Sequence, residues 1–316
     1  MKKLMILAGM AVIAAACTSE PAFEETEEIG PYTVNLVEKN VWHVEDCNSS
    51  NPHGMSIKED GSFNFNACTD MYIVKGKKKA ILIDLSNKIR WADNADESLR
   101  KIFYDRAGDR EKIITVTHNH GDHTGMLPAF KDEPGITFIL PENDFKADNK
   151  FPETRQLIGD SGIIDLGGMV LECVQCEGHT PGSMIFFLKG HNIAFSGDAI
   201  GSGTGVWIFD MNGMNNYKNG IDRLLEYLDD PDSGIDKASF EFLGGHTYQK
   251  GETQLNYDYV VKTKELIEQM AAGTAQSGPA SSGNRMLDTC FKNGDAAIVW
   301  NKALADQYAG ITPAAE

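Results

Sequence analysis

Short apolar runs separated by polar turns follow one another along the chain from residue 31 onward. The early runs alternate apolar and polar positions, which is typical of half-buried strands. The later runs are almost continuously apolar, which indicates strands buried on both faces. The alternating segments are residues 32–37, 41–45, 71–75 and 80–85, and the continuous ones are 112–117, 136–140, 169–175, 184–189 and 192–197.

Apolar positions at helical spacing predict three helices, over residues 94–107, 216–229 and 253–271. Asn293 and Gly294 predict the turn of a closing hairpin over residues 286–300. Residues 272–284 are rich in small side chains and are expected to form a loop. We therefore expect one α/β domain with two β-rich halves over residues 31–316.

The first sixteen residues have the composition of an export signal. Two lysines are followed by an apolar stretch that is too short for a membrane span but suits the core of a signal peptide. The stretch ends in small residues before Cys17, which resembles the lipobox of bacterial lipoproteins. We expect residues 1–16 to be removed and Cys17 to be lipidated, which would anchor an exported protein to a membrane at its periplasmic or cell-surface face. Plain signal-peptidase cleavage after Ala16 is the alternative.

Five glutamates lie between residues 20 and 28. Because such a density of like charge packs poorly, residues 17–30 are predicted to be a lipidated cysteine followed by an acidic, solvated tether. Over the whole chain, 46 acidic residues outnumber 29 basic ones, which gives a formal net charge of −17. This charge argues against nucleic acid as a partner, since its phosphates would repel the chain, and leaves a small molecule as the expected substrate.

Three histidines and an aspartate crowd the segment after the buried run 112–117, namely His118, His120, Asp122 and His123. Imidazole and carboxylate groups are the usual nitrogen and oxygen ligands of zinc and iron. His118 and His120 alternate, so an extended turn presents both side chains the same way. Asp122 and His123 are adjacent and point apart, toward a second ion or toward the other side of the first. The segment is therefore predicted to bind metal.

This HxHxDH segment after a buried strand resembles the metallo-β-lactamase-fold hydrolases. Three later segments match that family's ligand segments in order: residues 178–183 with His179, 195–198 with Asp198, and 243–246 with His246. The resemblance covers roughly residues 31–300 and implies an α/β fold, the four-layer αββα sandwich. Asp84, at the end of a strand pattern, matches an aspartate that supports the ligand loop in that family.

The resemblance implies two metal ions. His118, His120 and His179 would hold one, Asp122, His123 and His246 the other, and Asp198 would bridge them. Zinc is expected, at two ions per chain, with iron or manganese as alternatives. Each ion keeps an open position, as catalytic sites do, and two ions roughly 3.5–4 Å apart can share a hydroxide that acts as the nucleophile. Asp122 is the candidate catalytic residue, which would orient that hydroxide and pass on a proton.

Asp198 stands where the most familiar metallo-β-lactamases carry a cysteine, and in this the chain resembles the glyoxalase II and lactonase branch. The C-terminal tail lacks the basic cluster that grips glutathione in glyoxalase II. We therefore expect a dinuclear metal-dependent hydrolase that acts on a small lactone, amide or thioester. Two alternatives stay open: a mononuclear iron oxidoreductase resembling the persulfide dioxygenases, and a surface lipoprotein that binds a partner without catalysis.

Apolar side chains at Trp207, Ile208 and Phe209 follow the bridging aspartate. They are expected either to form a wall for an acyl or lactone group or to pack in the core. Lys250 and Arg285 are candidates for contacting an anionic substrate group, and solvated surface charge is the alternative for both.

Cys47 and Cys68 flank a loop rich in Asn, Ser and Gly. In an exported protein they can pair as a disulfide, although spacing alone does not fix the connectivity. The remaining histidines, His43, His53 and His191, show no second donor at ligand spacing and are expected to be structural or solvated.

Overall fold

The structure is a computed structural model that describes residues 23–47, 68–201, 204–280 and 286–310. Its helices are α1 (Ala95–Ala107), α2 (Gly121–Thr124), α3 (Glu142–Phe145), α4 (Met211–Asp229), α5 (Tyr257–Ala271) and α6 (Lys302–Tyr308). Its strands are β1 (Thr26–Ile29), β2 (Tyr32–Glu38), β3 (Val41–Glu45), β4 (Asp70–Lys75), β5 (Lys79–Ile83), β6 (Glu111–Thr115), β7 (Ile136–Pro141), β8 (Gln156–Ile158), β9 (Ile163–Asp165), β10 (Val170–Gln175), β11 (Met184–Leu188), β12 (Ile193–Gly197), β13 (Val206–Trp207), β14 (Glu241–Gly244), β15 (Gln276–Pro279), β16 (Thr289–Asn293) and β17 (Ala296–Trp300).

Three sheets organise these strands. The first contains β1 to β8 in chain order, antiparallel as far as β5 and parallel from β5 to β8. The second has the order β14-β12-β11-β10-β9, and β14 lies parallel to β12. A smaller sheet has the order β13-β17-β16-β15.

The two large sheets pack face to face and are covered by helices on both outer sides. Ile81 of the first sheet and Phe186 of the second belong to the apolar layer between them. Leu99 of α1 packs with Leu82 on the outer face of the first sheet. Helices α4 and α5 cover the outer face of the second sheet around Phe187. This order of layers confirms the predicted four-layer αββα sandwich.

The acidic segment differs from the prediction at its C-terminal end. Residues 26–29 form the edge strand β1, which pairs with β2, so the folded domain begins before residue 31. Glu27 forms an ion pair of 3.1 Å with Arg106, which is almost fully buried in α1. Phe23 packs edge-on against Trp42 at 5.6 Å between ring centroids. A tether over residues 17–30 is therefore wrong for 26–29, because one glutamate compensates a buried guanidinium.

The closing hairpin agrees with the prediction, whereas the segment before it and helix α6 after it differ. Strands β16 and β17 form the predicted hairpin, and Gly294 takes a positive φ of 61° in its turn. Residues 276–279, predicted to be part of a loop, instead form β15 and pair with β16. This strand lies at the edge of the small sheet with all four side chains exposed, which is where a sheet tolerates Gly278 and Pro279.

The predicted signal peptide, residues 1–16, and the predicted lipidation site, Cys17, lie outside the described residues and stay predictions. None of the helices in the described part of the chain combines the length and the apolar composition that a membrane span requires.

Candidate metal centre

The predicted ligands all follow the carboxyl ends of strands. His118 and His120 come directly after β6, and the short helix α2 carries the next two ligands. His179 follows β10, Asp198 follows β12, and His246 follows β14. These strand ends lie at one edge of the paired sheets, so loops far apart in the chain bring their side chains to a single centre.

Three imidazoles form the first ligand group, His118, His120 and His179. Their donor atoms lie within 4.8 Å of one another. The Nε2 of His179 is 2.8 Å from the Nδ1 of His120. The Nδ1 of His179 donates to the carbonyl oxygen of Trp207 at 2.9 Å, which turns the Nε2 lone pair toward the centre. The Nδ1 of His118 faces the Thr117 hydroxyl at 3.0 Å, which leaves its Nε2 for the centre.

The second ligand group consists of Asp122, His123 and His246, again within 4.8 Å of one another. His123 Nδ1 lies 2.9 Å from a carboxylate oxygen of Asp84, and His246 Nδ1 donates to the carbonyl oxygen of Cys68 at 2.7 Å. Both Nε2 atoms therefore point into the site. His246 Nε2 is 3.5 Å from Asp122 Oδ2.

Asp198 lies between the two groups and faces both. Its Oδ2 is 3.4 Å from His179 Nε2 in the first group. Its Oδ1 is 3.4 Å from His123 Nε2 and 3.5 Å from His246 Nε2 in the second group. A carboxylate in this position can contact a cation on each side.

Burial and mutual repulsion keep the first group neutral. Burial lowers the pKa of His118 well below its ordinary value, and the neighbouring His123 and His179 add to the effect. Burial, together with His179, lowers the pKa of His120 to about 4. Burial also lowers the pKa of His179. Neutral imidazole is the form that binds a metal ion.

Carboxylates dominate the second group. Burial opposes a charge on His123, but Asp84, Asp198 and Asp122 outweigh it and raise its pKa well above the ordinary value. Asp198 and Asp122 likewise outweigh burial at His246 and raise its pKa well above the ordinary value. The same contacts hold the pKa values of Asp122 and Asp198 below their usual range, although burial alone would raise them. The carboxylates of the second group therefore favour positive charge beside them, and a metal ion bound there would replace the protons that they stabilise on His123 and His246.

Three polar atoms facing the centre are buried and make no hydrogen bond: His118 Nε2, His123 Nε2 and Asp198 Oδ1. Leaving such atoms without a partner is costly, so a buried set of this kind requires an explanation. A metal ion on each side of Asp198 supplies one, because these atoms are the nitrogen and oxygen donors that zinc, iron and manganese accept. The residues present fit the metals that the sequence predicted.

Asp84 contacts the ligand loop, as the resemblance implied. Its carboxylate accepts the backbone N–H of Thr117 at 2.6 Å and lies against His123. It is fully buried and has a positive φ of 67°, which is rare for a residue other than glycine. The surrounding hydrogen bonds hold this conformation where it fixes two adjacent parts of the site.

The pocket beside the centre has an apolar wall. Trp207 and Phe209 line it together with Thr204 and Gln249. The Phe209 ring lies 5.8 Å from that of His120 and 5.7 Å from that of His179, between centroids. Of the three candidate wall residues, Ile208 instead follows the core-packing alternative, because it lies in the core and is fully buried. The alternation of an extended segment explains why its two neighbours face the pocket.

Other predicted residues lie outside the centre. Lys250 forms an ion pair with Glu241 at 2.5 Å, and His191 Nδ1 lies 2.5 Å from Glu38 Oε1, so both side chains make contacts away from the centre. His53 and Arg285 lie outside the described residues. Cys47 and Cys68 are joined by a disulfide, and this bond fixes the residue whose carbonyl orients His246.

Two further carboxylates contact the ligand loops and were not predicted. Asp144 accepts hydrogen bonds from Asn119 N, Thr180 Oγ1 and Gly182 N, on both loops of the first group. Asp70 contacts the turn of His246. The available signal for Asp70 was an acidic residue heading an otherwise apolar strand; Asp144, on a short polar helix, had none.

A layered αββα fold with seven converging histidine and aspartate side chains defines a class of metal-binding proteins. The family model of the metallo-beta-lactamase superfamily matches residues 69–243, which is more than half of the chain, and the chain belongs to this superfamily.

The most informative relatives are distant. The chain is 29% identical to a hydroxyacylglutathione hydrolase of Rhizobium meliloti (strain 1021) over 30% of its own length and 36% of that protein. It is 34% identical to an atrochrysone carboxyl ACP thioesterase, nsrC, of Aspergillus novofumigatus over 43% of its length and 40% of that protein. The alignments thus span well under half of these relatives. A crystal structure of a metallo-beta-lactamase from Erythrobacter litoralis superposes with a TM-score of 0.53 at 15% identity, covering 77% of this chain and 99% of that one, and shares the fold.

Proposed function

We propose that the protein is a metal-dependent hydrolase that holds two zinc ions, one in each ligand group, and cleaves the acyl bond of a small thioester, lactone or amide. The observation that carries this proposal is the buried Asp198 carboxylate, which faces both groups while its Oδ1 makes no hydrogen bond. Zinc ions held there would supply an activated water and positive charge for the carbonyl oxygen.

The chain's own groups would position that chemistry. The Trp207 carbonyl and the Asp84 carboxylate fix the orientation of His179 and His123. Asp122 is held ionised by its histidine neighbours, so it can accept a hydrogen bond that orients the attacking water, and its lowered pKa favours rapid return of any proton it takes up to the leaving group. Asp122 lines the pocket where a substrate would enter.

The pocket wall and the relatives favour an acyl thioester among the three substrate classes. Trp207 and Phe209 offer an apolar surface beside the centre for an aromatic or aliphatic acyl group. One relative is named a thioesterase and another a hydroxyacylglutathione hydrolase. Both names support hydrolysis, and the first supports a thioester.

The test is hydrolysis by the zinc-loaded protein of an N-acetylcysteamine thioester and an anilide of one aromatic acid, together with an aromatic lactone. We expect the thioester to turn over fastest. Asp122→Asn is expected to lower kcat by about 10²- to 10⁴-fold, since it removes the proton acceptor. Zinc content is measured in the same samples because Asp122 also belongs to the second group.

Asp132→Asn, which changes an exposed aspartate on the surface, is the matched control and should leave kcat unchanged. Turnover of none of the three substrates, or full turnover by Asp122→Asn, would contradict the proposal.

A further inference from the structure

The last ligand, His246, lies on a turn that a strand of the other large sheet holds in place. His246 follows β14 of the second sheet, whereas the contacts that hold its turn come from β4 of the first sheet and from Cys68 just before it. The Cys68 carbonyl accepts from its Nδ1 at 2.7 Å. The two sheets are therefore joined at the point where the second ligand group is completed.

Asp70 makes the central contacts of this junction. Its backbone N–H donates to the Gly245 carbonyl at 2.8 Å, and its Oδ2 accepts the backbone N–H of Thr247. These two bonds hold the residues on either side of His246. Tyr72, two residues along β4, donates its hydroxyl to the Gly244 carbonyl at 2.7 Å.

The Asp70 side chain is itself held from the opposite side. It is fully buried, and its Oδ1 lies 2.5 Å from Nε2 of His43 on the neighbouring strand β3. The His43 ring stacks on Tyr72 at 5.3 Å between centroids, which fixes its orientation. The carboxylate thus has one oxygen committed to His43 and the other to the His246 turn, and it cannot rotate without breaking both contacts.

We infer that Asp70 is a positioning residue for the second ligand group, acting through the His246 turn, and that His43 holds Asp70 in the required orientation. The inference rests on the proposed two-ion function. The two ligand groups are supported by different carboxylates, because Asp144 makes the corresponding contacts to the loops of the first group. Each ion would then depend on its own carboxylate outside the ligand set.

Stepwise zinc titration against a chromophoric chelator tests this, with wild type, Asp70→Asn and Asp144→Asn compared. Asparagine replaces one of the two accepting carboxylate oxygens with an NH2 group, so it cannot accept the hydrogen bonds that both oxygens accept in wild type. We expect Asp70→Asn to weaken one binding step by about 10- to 100-fold and to leave the other unchanged, as for other residues that orient metal ligands. Asp144→Asn should weaken the opposite step.

A double-mutant cycle with His246→Ala assigns the steps. If Asp70 acts through His246, Asp70→Asn should add no further loss of zinc affinity in the His246→Ala background, whereas Asp144→Asn should add its full effect. Tyr72→Phe keeps the ring and removes only the hydroxyl, so it is less disruptive to the fold than Asp70→Asn. It should weaken the same step to a smaller extent.

Equal weakening of both steps by Asp70→Asn, or an undiminished effect in the His246→Ala background, would overturn the inference while leaving the two-ion proposal intact. Wild-type protein that binds no zinc would overturn both.

Discussion

The two ligand groups contain similar residues and stand in opposite electrostatic surroundings. His118, His120 and His179 are three buried imidazoles with lowered pKa values, and Asp198 is the carboxylate that faces them. The second group sets two histidines with raised pKa values among carboxylates. Ligand identity alone does not determine these properties, since burial dominates in one group and neighbouring charge in the other.

The groups also differ in how they are held. The first group lies within the segment that matches the family model, residues 69–243. The second is completed by His246, just beyond that segment, on a turn fixed by the start of β4 and by the disulfide-bonded Cys68. We therefore expect changes in the shared carboxylate to affect mainly the first ion, and changes around Cys68 to affect mainly the second.

The largest effect is expected for Asp198→Asn. This change removes the charge that both groups share, and the first group has no carboxylate of its own to replace it. We expect hydrolysis to fall by about 10³-fold or more, because several kcal/mol of electrostatic stabilisation depend on bound metal. Zinc titration should show the larger loss of zinc affinity in the same binding step that Asp144→Asn weakens. Equal zinc affinity at both steps in Asp198→Asn would contradict the expected difference between the two ligand groups.

A smaller effect is expected when the disulfide is removed by the double change Cys47→Ala and Cys68→Ala. The bond closes a loop with a sequence separation of 21, so its loss should lower the free energy of unfolding by about 2–4 kcal/mol. Because Cys68 orients His246, the second ion should also bind more weakly, while the first should not. Chemical denaturation measures the stability, and Cys290→Ala, which removes a cysteine with a free thiol, is the control. Unchanged binding of the second ion would show that the carbonyl holds its position without the bond.

The smallest effect is expected at Glu45, whose carboxyl group lies near the Asp70 carboxylate. Burial, and next the Asp70 carboxylate, raise the pKa of Glu45 to about 7. A carboxyl whose folded pKa lies above its unfolded value contributes stability below the unfolded pKa and loses it as pH rises through the folded one. Glu45→Gln should therefore match wild type near pH 4 and exceed it at pH 8.

The expected gain in unfolding free energy at pH 8 is on the order of 1–2 kcal/mol, reduced by the partial exposure of the side chain. Denaturation at the two pH values measures it. A gain of the same size at both would contradict the raised pKa of Glu45.

The ligand segments were predictable because each is local. A buried strand followed by alternating histidines predicts a metal site at the strand end, and Asp84 could be assigned from the same family pattern. The contacts that orient the ligands were not predictable. Thr247 and Asp70 are 177 positions apart, and only the pairing of strands within two packed sheets brings them together.

Electrostatic pairing explains the other difference. The glutamate run was predicted to be a tether because its charges cannot pack together, yet Glu27 compensates a single buried guanidinium at Arg106. Sequence patterns register a run of charge, whereas a buried partner on a helix distant in sequence is visible only in the fold.

Elemental mass spectrometry of the protein purified without chelator tests the central claim most directly. Two ligand groups joined by Asp198 should retain close to two zinc ions per chain. Protein that holds no metal after dialysis against zinc would contradict the assignment of the ligands, and a single iron ion per chain would contradict the hydrolase.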